Sequence, residues 1–158
     1  MRFIHYGHNE YIPEAFNPVC NIPAFNKPTG GLWASPVDAE YGWADWCENE
    51  QMAEFNPEQG NSFEFELAAS ARVLTINCAA DTDGLPLQEG QTPVPDLMAD
   101  ALFSIKRPLI LPVDFESLAQ EYDAILFNFS NDYGLYNAMY GWDCDSLLVL
   151  NKEVIVIR

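Results

Sequence analysis

Hydrophobic and polar side chains alternate or cluster along this chain in ways that mark most of its elements. Residues 2–6 (RFIHY) form a first candidate strand, and an irregular stretch then runs as far as Gly31. Connections of that length are uncommon in compact domains and often carry function. A short strand is expected at residues 32–34. From Ser35 the pattern turns helical, with Ser35 suited to an N-cap, Pro36 to the first helical position and Asp38 three residues after the cap. At about 100° per residue, Ala39, Trp43, Trp46 and Cys47 then share one apolar sector, and Glu50 falls in its middle. A carboxylate centred in an aromatic stripe is the informative exception. The expectation is a largely buried Glu50 in contact with a cation or donor, Lys27 first among them because the chain has only seven basic residues; the alternative is a carboxylate that reaches the edge of the stripe and meets water.

Farther along, Phe63, Phe65 and Leu67 alternate with Glu64 and Glu66, the mark of a half-buried strand over residues 62–68. Residues 72–77 (RVLTIN) read as another strand. Helical spacing covers residues 95–105 and 114–121, the second with Asp114 as N-cap. Residues 124–129 are a continuous apolar run suited to a buried strand, and residues 133–140 suit one or two helical turns. Two closing apolar runs, 146–150 and 154–157, flank Asn151 and Lys152 at hairpin-like spacing. The sum is about seven short strands and three helices, an α+β chain with a mixed, mainly antiparallel sheet in a single domain spanning residues 1–158.

Charge changes the picture. The chain has 24 acidic and 7 basic residues, a net charge of −17, yet 49% of it is apolar. So large an apolar share excludes a disordered acidic tail. The deficit of Lys and Arg excludes direct nucleic-acid binding, which requires clustered cations to displace phosphate counterions. No apolar run reaches the ~20 residues of a membrane span, and the opening MRFIHYGHNEY has no apolar core of an export signal. The expectation is a cytoplasmic protein with no membrane partner. Cys20, Cys47, Cys78 and Cys144 form no CxxC pair and lie far in sequence from His5 and His8, so no metal site is expected.

Chemistry concentrates in three segments: IHYGH (residues 4–8), KPTGGLWASP (27–36) and YGWDCDS (140–146). Lys27 is one of few cations, and Gly30 and Gly31 permit a positive φ or close ligand approach. On an extended backbone Asp143 and Asp145 would share one face, where two carboxylates repel unless one is protonated, paired or engaged with substrate. His5 is a candidate base or hydrogen-bond ligand. No P-loop, GxGxxG or GxSxG element is present. The candidate catalytic residues are therefore His5, Glu50 and Asp143. The candidate substrate-binding residues are Lys27, Gly31, Trp33, Ser35, Trp142 and Asp145.

KPTGGLWASP, WADWCENE and WDCDS, in that order, resemble an uncharacterised family of bacterial and phage proteins. Its pattern is a Lys-Pro-x-Gly-Leu-Trp-x-Ser element, a Trp-x-x-Trp-Cys-x-x-Glu helix and a late Trp-Asp-Cys element. The positions matched are Lys27, Trp33, Ser35, Trp46, Cys47, Glu50, Trp142, Asp143 and Cys144; the additional glycine at 30–31 departs from the pattern. The resemblance implies ancestry and brings no activity. A more remote resemblance is to ADP-ribosyltransferase-like enzymes. It implies that His5 binds the ribose or nicotinamide side of NAD, that the strand of Trp33 and Ser35 supplies the middle element, and that Asp143 or Asp145 stabilises a cationic transition state. Those enzymes use Glu or Gln in the last role, and Asp is one methylene shorter. NAD is accordingly the candidate substrate, with Trp33 or Trp142 stacking on its ring. The competing expectation is a non-enzymatic phage or mobile-element protein whose acidic surface mimics DNA and occupies a basic host protein.

Overall fold

The computed structural model describes residues 1–52, 61–104, 108–130 and 132–157. The strands are β1 (Arg2–Tyr6), β2 (Leu32–Pro36), β3 (Ser62–Leu67), β4 (Val73–Ile76), β5 (Val94–Pro95), β6 (Pro108–Ile110), β7 (Ala124–Phe127), β8 (Ser146–Val149) and β9 (Ile155–Val156). The α-helices are α1 (Trp43–Asn49), α2 (Leu97–Phe103), α3 (Phe115–Glu121) and α4 (Tyr133–Ala138). Seven strands make one curled sheet in the order β4-β7-β8-β2-β1-β3-β9, and β5 and β6 form a separate pair. Within the large sheet β4 and β7 run parallel and the other neighbours antiparallel. The chain is therefore α+β in one domain, with more strands and one more helix than the pattern predicts. Among the described residues no helix is long and apolar enough to cross a membrane.

Strand alternation splits the core in two. On one face Trp33, Leu148, Ile125, Phe127 and Ile76 pack with Phe115 and Leu118 of α3, Leu135 of α4, Met139 and Trp142. On the other, Phe3 and Phe65 join Ala34, Leu126, Leu147 and Val149. β7 and β8 are thus buried on both faces, which their unbroken apolar sequences allow.

The helix predicted with Ser35 as N-cap starts seven residues later, with Gly42 in that place. Ser35 and Pro36 end β2, where Pro36 pairs with Phe3 and Ser35 with Ile4. Gly42 is the N-cap, with its N–H donating to the Asp45 carboxylate at 2.8 Å. Ser35 still serves the helix, because its Oγ accepts the Trp43 N–H at 2.9 Å across the intervening turn. The hairpin predicted between the last two runs does not form either. Asn151 Oδ1 accepts the Glu153 N–H, a 3-10 turn follows at Lys152–Val154, and β9 pairs with β3 instead of β8. α3 starts as predicted, the Asp114 carboxylate accepting the N–H and Oγ–H of Ser117. α2 occupies the expected stretch, whose predicted end at residue 105 lies outside the described residues.

The long connection after β1 is held by side chains rather than by secondary structure. Cys20 and Thr29 form an isolated bridge. Asn21 donates to Asp114 and accepts the Phe115 N–H. Gln88 donates to the carbonyls of Ile22 and Phe25 and accepts the Ala24 N–H. Fixing this segment delivers residues 26–31 to the edge of the first core.

Candidate functional site

Residues 26–27 and 140–142 are stitched together by three hydrogen bonds. Asn26 Nδ2 donates to the Tyr140 carbonyl at 2.9 Å, and Lys27 Nζ to the Gly141 carbonyl at 2.9 Å. Trp142 Nε1 donates to the Asn26 carbonyl at 2.7 Å. The Lys27 ammonium also lies 4.8 Å from the centre of the Trp33 ring, a cation–π distance. The two glycines that follow are demanded by packing. A Cβ on Gly30 (φ +73°) would meet the Pro18 carbonyl oxygen at 2.1 Å, and one on Gly31 (φ +66°) would meet Leu148 at 2.5 Å and the Val149 oxygen at 2.8 Å. Gly31 sits against the sheet, not against an open cleft.

Asp143 stands beside Lys27 on this corner. Its backbone is left-handed, at φ +53°, a conformation Asp tolerates better than most residues. That turn breaks the extended geometry that would put Asp143 and Asp145 on one face. Asp143 is half-buried, and among the described residues its carboxylate makes no hydrogen bond or close ion pair. Burial raises its pKa, the Lys27 charge opposes the rise and Glu50 adds to it. Burial lowers the Lys27 pKa, and the neighbouring Asp143 carboxylate opposes the fall. Asp143 is thus the group on which the Lys27 and Glu50 charges both act.

Glu50 is exposed, which corrects the expectation of a buried carboxylate clasping Lys27. The stripe that Glu50 was to continue is itself only half-buried at Trp43 and Trp46. The helix ends at Asn49, Glu50 is its C-cap residue, and the helical wheel no longer governs its direction. Trp43 and Trp46 stack with each other at 4.9 Å.

Asp145 and Trp142 belong to the core rather than to a ligand. Asp145 is 6% exposed, and its carboxylate accepts the N–H groups of Phe129 (2.6 Å) and Ser130 (3.0 Å) and the Ser130 hydroxyl (2.6 Å). Trp142 is 2% exposed, with its ring 4.2 Å from Phe127 and 4.7 Å from Trp33. Trp142 is therefore enclosed by the core and not placed to stack on an incoming ring, whereas Trp33 is half-buried and already meets Lys27 and Trp142. Ser35 is buried and occupied in holding α1.

His5 lies on the opposite face of the sheet from Trp33 and Ser35, its ring 5.1 Å from Phe63 and 5.5 Å from His8. His5 and Trp33, the residue under the Lys27 ammonium, are thereby on different faces, although both are candidate site residues. His5 Nδ1 is 2.7 Å from the Trp33 carbonyl, so that nitrogen carries the proton. Its Nε2 then accepts from His8 Nδ1 at 3.2 Å. Burial lowers the His5 pKa, and the neighbouring His8 lowers it further.

Sequence reasoning passed over Asn26 and undervalued Cys144. Asn26 is 1% exposed and among the described residues its Oδ1 has no hydrogen-bond partner, an uncommon state for a buried acceptor. Nothing in the local sequence separates it from a loop asparagine. Cys144 is buried with its Sγ 3.6 Å from Ser146 Oγ, and burial pushes its pKa up to about 11. It is a thiol rather than a thiolate nucleophile at neutral pH. Among the described residues no group of three or more His, Cys, Asp or Glu is arranged to hold a metal ion. The chain matches no family model, no curated protein and no solved structure.

Proposed function

We propose that the chain is a nucleotide-acting enzyme that works at the Lys27–Asp143 corner, with NAD as its substrate. The observation that carries this reading is the Asp143 carboxylate, half-buried and without a hydrogen bond among the described residues, on which the charges of the Lys27 ammonium and the exposed Glu50 carboxylate both act. A nucleotide supplies the hydrogen-bond donors that Asp143 lacks among the described residues and a counter-charge for Lys27, whose bond to the Gly141 carbonyl leaves it with no anion in hydrogen-bond contact there. Its phosphate is matched to the Lys27 ammonium, and its ribose hydroxyls are donors for Asp143 and Glu50. If nicotinamide departs with the electrons of its glycosidic bond, the positive charge left on the sugar carbon faces two carboxylates. That is electrostatic stabilisation of the kind most effective in a partly dry site. Addition of water or an acceptor hydroxyl at that carbon, with loss of a proton, completes the transfer. In this version of the ADP-ribosyltransferase-like reading His5 has no part, since its ring is on the other face of the sheet.

Millimolar NAD is the test. A ligand present at ten times its dissociation constant stabilises by about 1.4 kcal/mol, which raises the melting point of a chain this long by roughly 3–5 °C. Nicotinamide release is followed in parallel by chromatography. Asp143→Asn and Glu50→Gln are expected to abolish release while leaving the unliganded melting point nearly unchanged. No shift and no nicotinamide with NAD would reject the reading and leave a non-enzymatic acidic protein as the better account.

A further inference from the structure

The segment IHYGH takes no part in the proposed reaction, yet the fold draws its two histidines together. Along a strand, residues three apart point to opposite faces. β1 stops at Tyr6, however, and Gly7 turns the chain at φ +121°, a backbone that favours glycine, with its N–H donating to the Asn61 carbonyl at 2.8 Å. The turn lays the His8 ring beside that of His5, with His5 Nε2 3.2 Å from His8 Nδ1. A Cβ at residue 7 would lie 3.7 Å from that Nε2, so the glycine leaves its flank uncovered. His5 Nδ1 donates to the Trp33 carbonyl at 2.7 Å, the kind of hydrogen bond that fixes ring and tautomer in metal-binding imidazoles and leaves the Nε2 lone pair to the ion. Phe63, opposite His5 in the register of β1 and β3, packs its ring 5.1 Å from the imidazole and steadies it further. Burial lowers the His5 pKa, so at neutral pH Nε2 has no proton to give up.

We infer that His5 Nε2 and His8 Nδ1 form a two-histidine site for a borderline divalent transition-metal ion such as Zn²⁺, with water in its remaining positions. Two nitrogens bound to one tetrahedral zinc at ~2.0–2.1 Å are about 3.3 Å apart, close to the 3.2 Å of this pair. The ion takes the place of the proton that His8 Nδ1 shares with His5. That proton passes through water to the Nε2 of His8, so the neutral ring stays neutral. His8 is exposed, and its ring turns to aim Nδ1 at the ion without disturbing the core. Imidazole suits Zn²⁺, Ni²⁺ and Cu²⁺, whereas Mg²⁺ and Ca²⁺ demand oxygen ligands. A net charge of −17 draws every cation toward the chain, so choice among cations is the mark of the site, more than binding itself. The inference does not depend on the Lys27 corner, and a failure of either leaves the other standing.

The test titrates Zn²⁺ into the whole protein in a non-coordinating buffer with excess Mg²⁺, read by calorimetry and by the NMR shifts of the histidine ring nitrogens. One Zn²⁺ per chain is expected, with His5 Nε2 and His8 Nδ1 moving together. His8→Gln replaces an exposed ring, so the melting transition should hold while affinity for Zn²⁺ falls by about tenfold or more. His5→Gln should weaken binding to the same extent. Cys20→Ser removes the exposed thiol and should leave the affinity unchanged. Equal affinity in the His8→Gln chain would place the ion on thiols or carboxylates elsewhere and overturn the proposal. Loss of binding in Cys20→Ser, or suppression of Zn²⁺ binding by Mg²⁺, would overturn it in the same way. So would a wild-type chain that takes up no Zn²⁺, or takes it up with neither nitrogen resonance moving.

Discussion

Replacing Asp145 with Ala separates a structural carboxylate from a substrate-binding one. Three donors lose their acceptor: the N–H groups of Phe129 and Ser130 and the Ser130 hydroxyl. Phe129 is 7% exposed, and its N–H has no path to water, so it contributes the cost of a buried unsatisfied donor, about 1–3 kcal/mol. Ser130 is exposed and recovers most of its bonding from solvent, leaving a loss of about 0.5–1 kcal/mol. Removal of a nearly buried charge returns some of this, and the small cavity takes some away. The expected net is about 2–4 kcal/mol, or roughly 5–15 °C in melting temperature for a chain of this length. Asp145→Asn keeps one acceptor oxygen for both amides and should cost about half as much. Ser130→Ala removes only the hydroxyl and should cost about 1 kcal/mol. Urea unfolding with a common slope tests the order Ala, Asn, then Ser130→Ala. An Asp145→Ala chain as stable as wild type would refute the assignment of this carboxylate to the loop at residues 129–130.

The other expectations bear on the glycines, on His5 and on Lys27. Gly31→Ala combines a left-handed backbone with contacts of 2.5 and 2.8 Å and should cost about 2–4 kcal/mol, whereas Gly84→Ala, with open space around it, should be nearly neutral in the same melts. His5 has a folded-state pKa below the ordinary 6.5, so the unfolded chain takes up that proton first as pH falls. This contribution to stability is present above the unfolded pKa and declines below it. The gap in urea midpoint between pH 7.5 and pH 5.5 should therefore shrink in His5→Gln, and an unchanged gap would contradict the assignment. Lys27→Met removes the charge that restrains Asp143, so the Asp143 carboxyl, followed by NMR titration, should titrate at higher pH than in wild type.

Elements whose apolar pattern was self-contained were legible in the sequence. β3 shows its Phe-Glu alternation directly, β7 its unbroken apolar run, and α3 its Asp114 cap. Where the pattern failed, a distant partner decided. Ser35-Pro36 has the local chemistry of a helix start, but its pairing with Phe3 and Ile4 makes it a strand end, and the Ser35 hydroxyl reaches the helix from there. Asn151-Lys152 has hairpin spacing, yet Asn151 caps a 3-10 turn and accessible pairing on β3 draws the last strand away from β8. The candidate site divides in the same way. Lys27 and Asp143 come into one neighbourhood because the segments that bear them are tied by the bonds of Asn26, Lys27 and Trp142, and the Asp145 N–H, donating to the Tyr41 carbonyl, ties the second of these segments to the turn before α1. Trp142 and Asp145 carry the residue types of a binding site and serve the core, a distinction made only by what packs around them.

That division decides which substitutions can report on function. Trp142 holds residue 26 by its indole N–H and fills the space between Phe127 and Trp33, so its loss disturbs core and corner together. A fall in activity on Trp142→Ala would not distinguish a ligand contact from a collapsed loop. Glu50 is exposed beyond the end of α1, and Asp143 is half-buried with no hydrogen bond among the described residues, so each can lose its charge with little cost to the fold. Lys27 stands between the two cases. Its hydrogen bond to Gly141 and its place over Trp33 make it a tether between residues 27 and 141 as well as the cation of the corner. Lys27→Arg keeps the charge but replaces a compact ammonium with a planar fork that must find room over the same ring. A chain that keeps its melting point and loses its NAD response only in Glu50→Gln and Asp143→Asn therefore speaks for chemistry at this corner more directly than any substitution at the tryptophans.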